Sequence, residues 1–242
     1  CQLPRTVKSI AALKAGLGKT LMERIVDSKP EVVTLLDTQY RMNEEIMRFS
    51  SSWFYDGKVK AAPITAHRGI LDYDTPIEWV DDVANDDETV GETFVGETFG
   101  RINKVEARQV MELLQAYFEK IGKQRIIDES IDVGIISPYR AQVQYLRHLI
   151  KKEAFFKPFR HLLSVNTVDG FQGQERDVII VSLVRSNNDG QIGFLRDLRR
   201  MNVAMTRARS KLIIIGDHET LAHHEFYKKL YEYIKKHKTD NF

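Results

Sequence analysis

The stretch DVIIVSLV, residues 177–184, decides the fold class of this 242-residue chain. Its apolar side chains follow one another without the alternation of a strand that has one wet face, so both faces of the strand are expected to be buried. Four further runs have the same character: EVVTLLD (31–37), IDVGIISPY (131–139), LLSVNTV (162–168) and KLIIIGD (211–217). Strands of this type are typical of a parallel sheet covered by helices.

Amphipathic helical patterns separate these runs. They cover residues 43–53, 104–122, 140–153, 197–209 and 219–236. Strands that alternate with helices predict an α/β fold, in which helices flank a mostly parallel β-sheet and ligands bind beyond the carboxyl ends of the strands. The acidic segment 81–100, which repeats Gly-Glu-Thr-Phe, predicts a surface loop, and residues 237–242 predict a flexible tail.

Composition excludes several classes of protein. The chain is 43% hydrophobic and 29% charged, and it contains no run of about 18 apolar residues that could span a membrane. Its opening residues, CQLPRTVKSI, lack the apolar region of a secretory signal. Cys1 is the only cysteine, which excludes disulfides and a cysteine-built zinc site within the chain and predicts a cytoplasmic protein. No spacing of metal ligands is present, so no metal site is predicted.

The segment AGLGKTLMERI, residues 15–25, contains Gly18-Lys19-Thr20 and looks like a phosphate-binding loop. Such a loop needs a first glycine where this chain has Leu13, and it follows a buried strand, whereas VKSIAALKA precedes it here with the pattern of a helix. We therefore expect a break between two helices at Gly16, with Lys19 in solvent. The residues expected to face the core are Leu17, Leu21, Met22 and Ile25.

The polar segment DTQYRMNEEI, residues 37–46, follows a predicted strand. It places Tyr40 and Arg41 where they could stack on a flat ring and pair with a phosphate. The alternative is structural: Tyr40 would cover the edge of the core, and Arg41 would bridge to the acids of the following helix. Periodicity alone favours the structural alternative.

Two more segments carry dense polar groups. VNTVDGFQGQERDVIIVSLVRSN (165–187) crowds more polar side chains into one connection than a turn requires. In RRMNVAMTRARSKLIIIGD (199–217), Arg200 and Arg207 are seven residues apart and share one face of the predicted helix, while Arg209 points elsewhere. This arginine-rich segment suits a nucleotide or a nucleic acid, although many such arginines are only solvated.

Together these segments resemble motifs IV, V and VI of superfamily 1 helicases, in the 5′→3′ branch typified by the nonsense-mediated-decay RNA helicase and its DNA-helicase relatives. The opening CQLPRT is similar to the end of motif III of that branch, and ISPYRAQV to its motif between IV and V. The resemblance runs from Gln2 to about Asp217. It implies a RecA-like three-layer fold and a chain that is the second of two RecA-like domains. Residues 1–30 would cross over from the first domain, and residues 31–236 would form the second.

The resemblance also implies roles for individual residues. Gln2, Arg41 and Arg207 would contact or sense the γ-phosphate, whereas Tyr40 would stack on the base, Glu175 would lie near the ribose and Gln172 would couple nucleotide state to strand binding. The residues on the nucleic-acid side would be Ser137, Pro138, Tyr139, Thr167 and Arg185. The family's motif III has a second proline where this chain has Arg5, which puts the hinge geometry in doubt.

The function implied is that of the second motor domain of an ATP-dependent 5′→3′ helicase or translocase. Its cofactors would be ATP and Mg²⁺, with the Mg²⁺ ligands in the first domain, and its partners would be single-stranded DNA or RNA and that first domain, with no membrane. The alternative is a non-catalytic nucleic-acid or protein-binding module. The joint presence of Gln2, Arg41 and Arg207 favours the enzyme, because a scaffold needs none of them.

Overall fold

The computed structural model describes residues 19–82, 91–96 and 100–239, together with Ser9 and Ala11. The strands are β1 (Thr38–Gln39), β2 (Lys60–Ala61), β3 (Ile77–Val80), β4 (Thr93–Val95), β5 (Gly100–Ile102), β6 (Val133–Ile136), β7 (Leu163–Asn166), β8 (Arg176–Ser182) and β9 (Ala208–Ile215). The helices are α1 (Leu21–Ser28), α2 (Glu44–Tyr55), α3 (Pro63–Ala66), α4 (Lys104–Ile121), α5 (Lys123–Asp128), α6 (Arg140–Lys152), α7 (Leu198–Met205), α8 (His218–Leu221) and α9 (Glu225–Thr239). Over these residues, no helix has the length and hydropathy needed to cross a membrane.

Five strands form one parallel sheet in the order β3-β9-β8-β6-β7. Successive side chains of β8 point to opposite faces. Ile179 and Val181 pack with α2, α7 and α9, whereas Val178 and Ile180 pack with α4 and α6. The sheet is therefore covered on both sides, which confirms the predicted α/β, RecA-like three-layer fold.

The strands predicted at 131–139, 162–168, 177–184 and 211–217 contain β6 to β9. The strand predicted at 31–37 is wrong, because Pro30–Val32 forms a 3-10 turn and Leu36 is exposed. The fifth strand of the sheet is instead β3. Among the described residues it pairs with β9 alone, as the outermost strand, and its inward side chains, Ile77 and Trp79, are buried.

Helix α1 begins at Thr20 through a capping box. The Thr20 hydroxyl accepts from the Glu23 amide at 3.1 Å, and the Thr20 amide donates to the Glu23 carboxylate at 2.7 Å. Lys19 pairs with Asp27 at 2.8 Å, with both side chains exposed. The predicted core-facing stripe is wrong where it is described: Leu21 and Met22 are exposed, Ile25 is only partly buried, and no residue of α1 is fully buried. Leu17 and Gly16 lie outside the described residues.

Two other predicted segments differ from the structure. Within the predicted acidic loop 81–100, the described residues include β4, which pairs antiparallel with β5, and the Glu92 side chain is mostly buried against Arg101 and Arg185. A buried carboxylate with two arginines holds this hairpin against the domain, so the segment is not simply a surface loop. Helix α9 continues to Thr239, so residues 237–239 are helical and do not form the predicted start of a flexible tail.

Candidate functional site

Because the five strands are parallel, their starts meet at one edge of the sheet and their ends at the other. We call these the amino edge and the carboxyl edge. Glu175 and Arg207 directly precede β8 and β9 at the amino edge, while Thr167 directly follows β7 at the carboxyl edge. Sequence reasoning placed ligands beyond the carboxyl ends of the strands. Of the residues predicted for nucleotide binding, Arg41, Glu175 and Arg207 instead lie together at the amino edge.

Glu175 reaches the amino edge through a short crossover, residues 167–175, that runs from the end of β7 to the start of β8. Phe171, at its centre, is buried on the sheet against Gly134 of β6. A Cβ at Gly134 would lie 2.8 Å from the Phe171 ring, so only glycine leaves room for the crossover. Gln172 and Gln174 then project into solvent.

Arg41 lies on a turn between β1 and α2 that Gln39 organises. The Gln39 side-chain oxygen accepts from the amides of Arg41 and Met42 at 2.8 and 2.7 Å. Arg41 Nε lies 2.5 Å from Glu175 Oε2, and Arg41 Nη1 donates to the Thr206 carbonyl at 3.3 Å. This arginine therefore pairs across the sheet with Glu175, and the structural alternative, in which it bridges to the acids of the next helix, is wrong.

The hydrogen bond from Arg41 is the main reason why the pKa of Glu175 lies below its ordinary value. Both side chains remain partly exposed, at 35% for Arg41 and 41% for Glu175. The pair is thus accessible to a ligand that approaches the amino edge.

Arg207 lies in the link between α7 and β9. The helix predicted over 197–209 ends at Met205, since Ala208 pairs with Arg176 of β8 and draws the chain into the sheet. Arg200 and Arg207 therefore do not share one face of a helix, as predicted, because Arg207 lies beyond the end of α7. Arg200 instead pairs with Asp169 at 3.4 Å.

The Arg207 guanidinium is bound only by neutral oxygens. It donates to the carbonyls of Val203 and Gln174 and to the hydroxyl of Thr206, each at 3.1 Å. Over the described part of the chain, it has no ion pair with a carboxylate. Burial lowers the pKa of Arg207 because it disfavours the charged guanidinium, and the positive charge of nearby Arg41 lowers it further. An anion placed here would relieve that cost.

The other residues predicted to handle the nucleotide differ in accessibility. Tyr40 is 69% exposed beside Arg41, so its ring faces solvent instead of covering the core. Gln172 is also exposed. Gln2 lies outside the described residues.

At the carboxyl edge the predicted nucleic-acid residues come together, but most are covered. Ser137, Tyr139 and Arg185 are buried, and Pro138 and Thr167 are half-buried. Arg185, 3% exposed, forms an ion pair with Glu92, its Nε lying 2.5 Å from the carboxylate. Direct contact of the Ser137, Tyr139 and Arg185 side chains with a polymer, as predicted, is at odds with this burial. These three residues shape the surface that Pro138 and Thr167 expose.

Known proteins are similar to this chain over most of its length. A family model described as an AAA domain matches residues 17–219. The chain belongs to this AAA domain family. It is 37% identical over 243 residues to the "Uncharacterized ATP-dependent helicase MJ0104" of Methanocaldococcus jannaschii, covering 97% of this chain and 34% of that protein.

Of two further relatives of this AAA domain, the first also has the name of a helicase. It is 38% identical to the "DNA polymerase alpha-associated DNA helicase A" of Saccharomyces cerevisiae, over 91% of this chain and 33% of that protein. It is 33% identical to the "Regulator of nonsense transcripts 1 homolog" of Neurospora crassa, over 97% of this chain and 21% of that protein. The chain thus spans about a third or less of the length of these curated relatives. These relatives confirm the resemblance to superfamily 1 helicases.

Sequence reasoning missed the role of Arg209 in this AAA domain. Its guanidinium lies 2.9 Å from Asp132, 3.0 Å from Asp177 and 3.8 Å from Glu175. Burial raises the pKa of Asp177, and Arg209 opposes that rise. Arg209 therefore lies between three carboxylates at the strand starts, those of Asp132, Asp177 and Glu175, and Glu175 also pairs with Arg41. Residues two apart in a strand point to the same side. If the start of β9 at Ala208 had been known, Arg209 would have been expected on the same side as Arg207.

A second missed residue, Glu106 of α4, lies beneath the carboxyl edge. Its fully buried carboxylate accepts from the Val184 amide at 2.7 and 2.9 Å and from the Ser182 hydroxyl at 2.6 Å. Val184 has φ of +73°, a strained conformation for a β-branched residue, and Glu106 holds it. Burial raises the pKa of Glu106 well above its ordinary value. Nothing in the helical pattern of α4 separates this glutamate from a solvated one.

Proposed function

We propose that this AAA domain is the second motor domain of an ATP-dependent 5′→3′ helicase or translocase that acts on single-stranded nucleic acid. The observation that carries the proposal is the charge at the amino edge. Burial and the neighbouring Arg41 lower the pKa of Arg207, and the carboxylate of Glu175 pairs with Arg41 and Arg209 but not with Arg207. A partly exposed site with more guanidinium than carboxylate suits the phosphates of a nucleotide.

In the proposed site, Tyr40 stacks on the base, Glu175 lies near the ribose and Gln172 couples nucleotide state to strand binding. Arg41 and Arg207 contact the γ-phosphate, and Gln2 senses it from a part of the chain that the structure does not describe. ATP binds with Mg²⁺, whose ligands we assign to a first RecA-like domain. We infer that residues 1–30 cross over from that domain and that residues 31–236 form the second one.

The roles of Arg41 and Arg207 follow from the chemistry of phosphoryl transfer. Charge on the transferring phosphoryl group is stabilised mainly by positioned cations, so arginines from a second domain complete the site only when the two domains close. Closure would move the carboxyl edge relative to the first domain, and each turnover would then shift the bound strand. Contacts to the strand backbone would give strong salt dependence and little sequence preference.

The polymer is single-stranded DNA or RNA, and the relatives named above include both a DNA helicase and a regulator of nonsense transcripts. On the single cysteine of the sequence we propose a cytoplasmic location. Neither choice affects the residues assigned to the two edges.

The test is steady-state ATPase of the full-length protein, measured without polymer and with single-stranded DNA or RNA. We expect stimulation by at least one polymer, together with a folded but inactive isolated chain. A full-length protein that binds polymer without any turnover would support the non-catalytic binding module instead. Turnover by the isolated chain, surviving a control for contamination, would contradict the assignment of the phosphate loop and the Mg²⁺ ligands to a first domain.

A further inference from the structure

Phe194 is a large apolar side chain that the carboxyl edge leaves in solvent. It is 65% exposed and lies in the 3-10 turn Gly193–Arg196, between β8 and α7. Its ring centre is 5.7 Å from that of Tyr139, at an angle of 52°, and Phe194 and Pro138 line one crevice. No motif singled out this residue, yet it stands beside three of the five residues predicted for the nucleic-acid side: Pro138, Tyr139 and Arg185.

The turn that carries Phe194 is rigidly held. Ile192 and Leu195, on either side of the ring, are both buried, and the Leu195 carbonyl accepts from the Tyr227 hydroxyl at 2.8 Å. Gly193 has φ of +54°, and a Cβ there would collide with the Arg185 guanidinium and the Tyr139 hydroxyl. The buried side chains therefore hold the ring outward. A ring fixed in this way loses little conformational entropy when it binds a flat partner.

An exposed cation lies on the same turn as the ring. Arg196, two residues further along the same turn, is exposed and makes no ion pair within the described part of the chain. The acids nearby are already engaged: Asp169 pairs with Arg200 at 3.4 Å, and Asp197 pairs with Arg199 at 3.0 Å. An aromatic face beside an uncompensated cation is the combination that binds a base and its phosphate in single strands.

We propose that Phe194 is a stacking platform for one nucleobase of the single strand, with Arg196 beside the adjoining phosphate. This inference rests on the proposed function, because it requires the strand to pass over the carboxyl edge. Buried Tyr139 supports the ring of Phe194 from behind and does not itself meet the base. Stacking accepts any base, so the platform adds affinity without sequence preference.

The first experiment compares Phe194→Leu with Tyr73→Leu in the binding of a fluorescent oligothymidylate, followed by anisotropy. Both variants replace an exposed aromatic ring with an aliphatic side chain, but Tyr73 lies in the loop before β3, at the amino edge. We expect Phe194→Leu to weaken binding about tenfold, within the range of about 1–3 kcal/mol for one stacked base. Tyr73→Leu should bind as the wild type does.

An abasic oligomer of the same length separates stacking from a change of shape. Without bases, the wild type and Phe194→Leu should bind equally, whereas a disturbed surface would weaken Phe194→Leu on both oligomers. As a direct signal, the fluorescence of Phe194→Trp should be quenched by oligothymidylate and not by the abasic oligomer.

The outcomes distinguish this inference from the function on which it rests. A full-length wild-type protein that binds no single strand at any salt concentration would remove both. Normal binding that Phe194→Leu leaves unchanged, or weakens equally on the abasic oligomer, would overturn the platform while leaving the proposed function in place.

Discussion

The two edges of the sheet hold the same residue types in opposite circumstances. At the amino edge, Arg41 and Arg207 are partly exposed, and Arg207 is bound by neutral oxygens alone. At the carboxyl edge, Arg185 is buried against Glu92. A guanidinium with spare donors can take up a ligand, whereas one enclosed with a carboxylate stabilises the fold. Helicase-like motif residues therefore divide into those whose donors remain accessible to a ligand and those that are enclosed within the fold.

The glutamates show the same contrast. Glu175 at the amino edge has a lowered pKa because Arg41 donates to it, while Glu106 under the carboxyl edge has a raised pKa because it is buried. One carboxylate is held charged within reach of solvent, and the other is held in the interior to support the backbone of Val184. If the two edges differ in this way, substitutions at the amino edge should mainly change turnover and those at the carboxyl edge should mainly change stability.

The largest effect is expected at Arg207. In the full-length protein, Arg207→Ala should lower kcat by on the order of 10³, because a positioned arginine stabilises the charge on the transferring phosphoryl group. Lysine at this position should rescue poorly, since a point charge does not reproduce the planar fork. Single-turnover hydrolysis measures the effect. Arg48→Ala, which removes an exposed arginine paired with Glu44 on α2, is the control and should retain wild-type turnover. Equal losses in the two variants would contradict the assignment.

The next largest effect is expected at Arg185. Arg185→Ala leaves Glu92 buried with Arg101 as its remaining partner, so the free energy of unfolding should fall by roughly 3 kcal/mol, the lower end of the range for a broken buried pair. Arg41→Ala at the amino edge should change it by no more than about 1 kcal/mol, because that pair is partly exposed. Urea denaturation of the isolated chain checks both values. Similar losses of unfolding free energy in Arg185→Ala and Arg41→Ala would contradict the contrast between the two edges.

The glutamates should give stability profiles of opposite slope. Since the folded state raises the pKa of Glu106 above 4.5, it holds more protons than the unfolded state above that pH, and the stability of the wild type relative to Glu106→Gln should fall as pH rises. The lowered pKa of Glu175 stabilises the folded state above pH 4.5, and this contribution should be lost as pH falls through the lowered value. Melting temperatures of the wild type, Glu106→Gln and Glu175→Gln, measured from about pH 2 to about pH 9, follow both profiles, because the contribution of Glu175 is lost only below pH 4.5. Exposed Glu112→Gln on α4 is the control, and parallel slopes for Glu106 and Glu175 would refute the contrast.

The smallest effect is expected at Lys19, outside both edges. It precedes a capped helix and pairs with exposed Asp27, so Lys19→Ala should change ATP affinity and turnover of the full-length protein less than about twofold. Nucleotide titration and steady-state ATPase measure this directly. A loss of more than about tenfold would show that residues 16–20 do bind phosphate after all.

Sequence patterns located the main strands but not the whole sheet. The runs that became β6 to β9 are long and apolar because helices cover both of their faces. Strand β3 is only four residues long and includes Glu78, so its pattern is too short to recognise, and its pairing with β9 is what makes it a strand. The equally apolar run at 31–37 has no such partner in the sheet. Hydrophobicity records the tendency to be buried, whereas pairing depends on a distant segment.

The amino-acid sequence by itself determined the α/β class and the helicase resemblance, because both depend on the order and spacing of residues along the chain. The same spacing predicts that Lys19 does not bind phosphate. Tertiary structure alone decided which motif residues are accessible. Arg207 left the predicted helix because Ala208 pairs with β8, and Arg185 became buried because Glu92 lies against it from a hairpin far away in sequence. A side chain's exposure and charge state are set by neighbours that only folding brings together, and no local pattern records them.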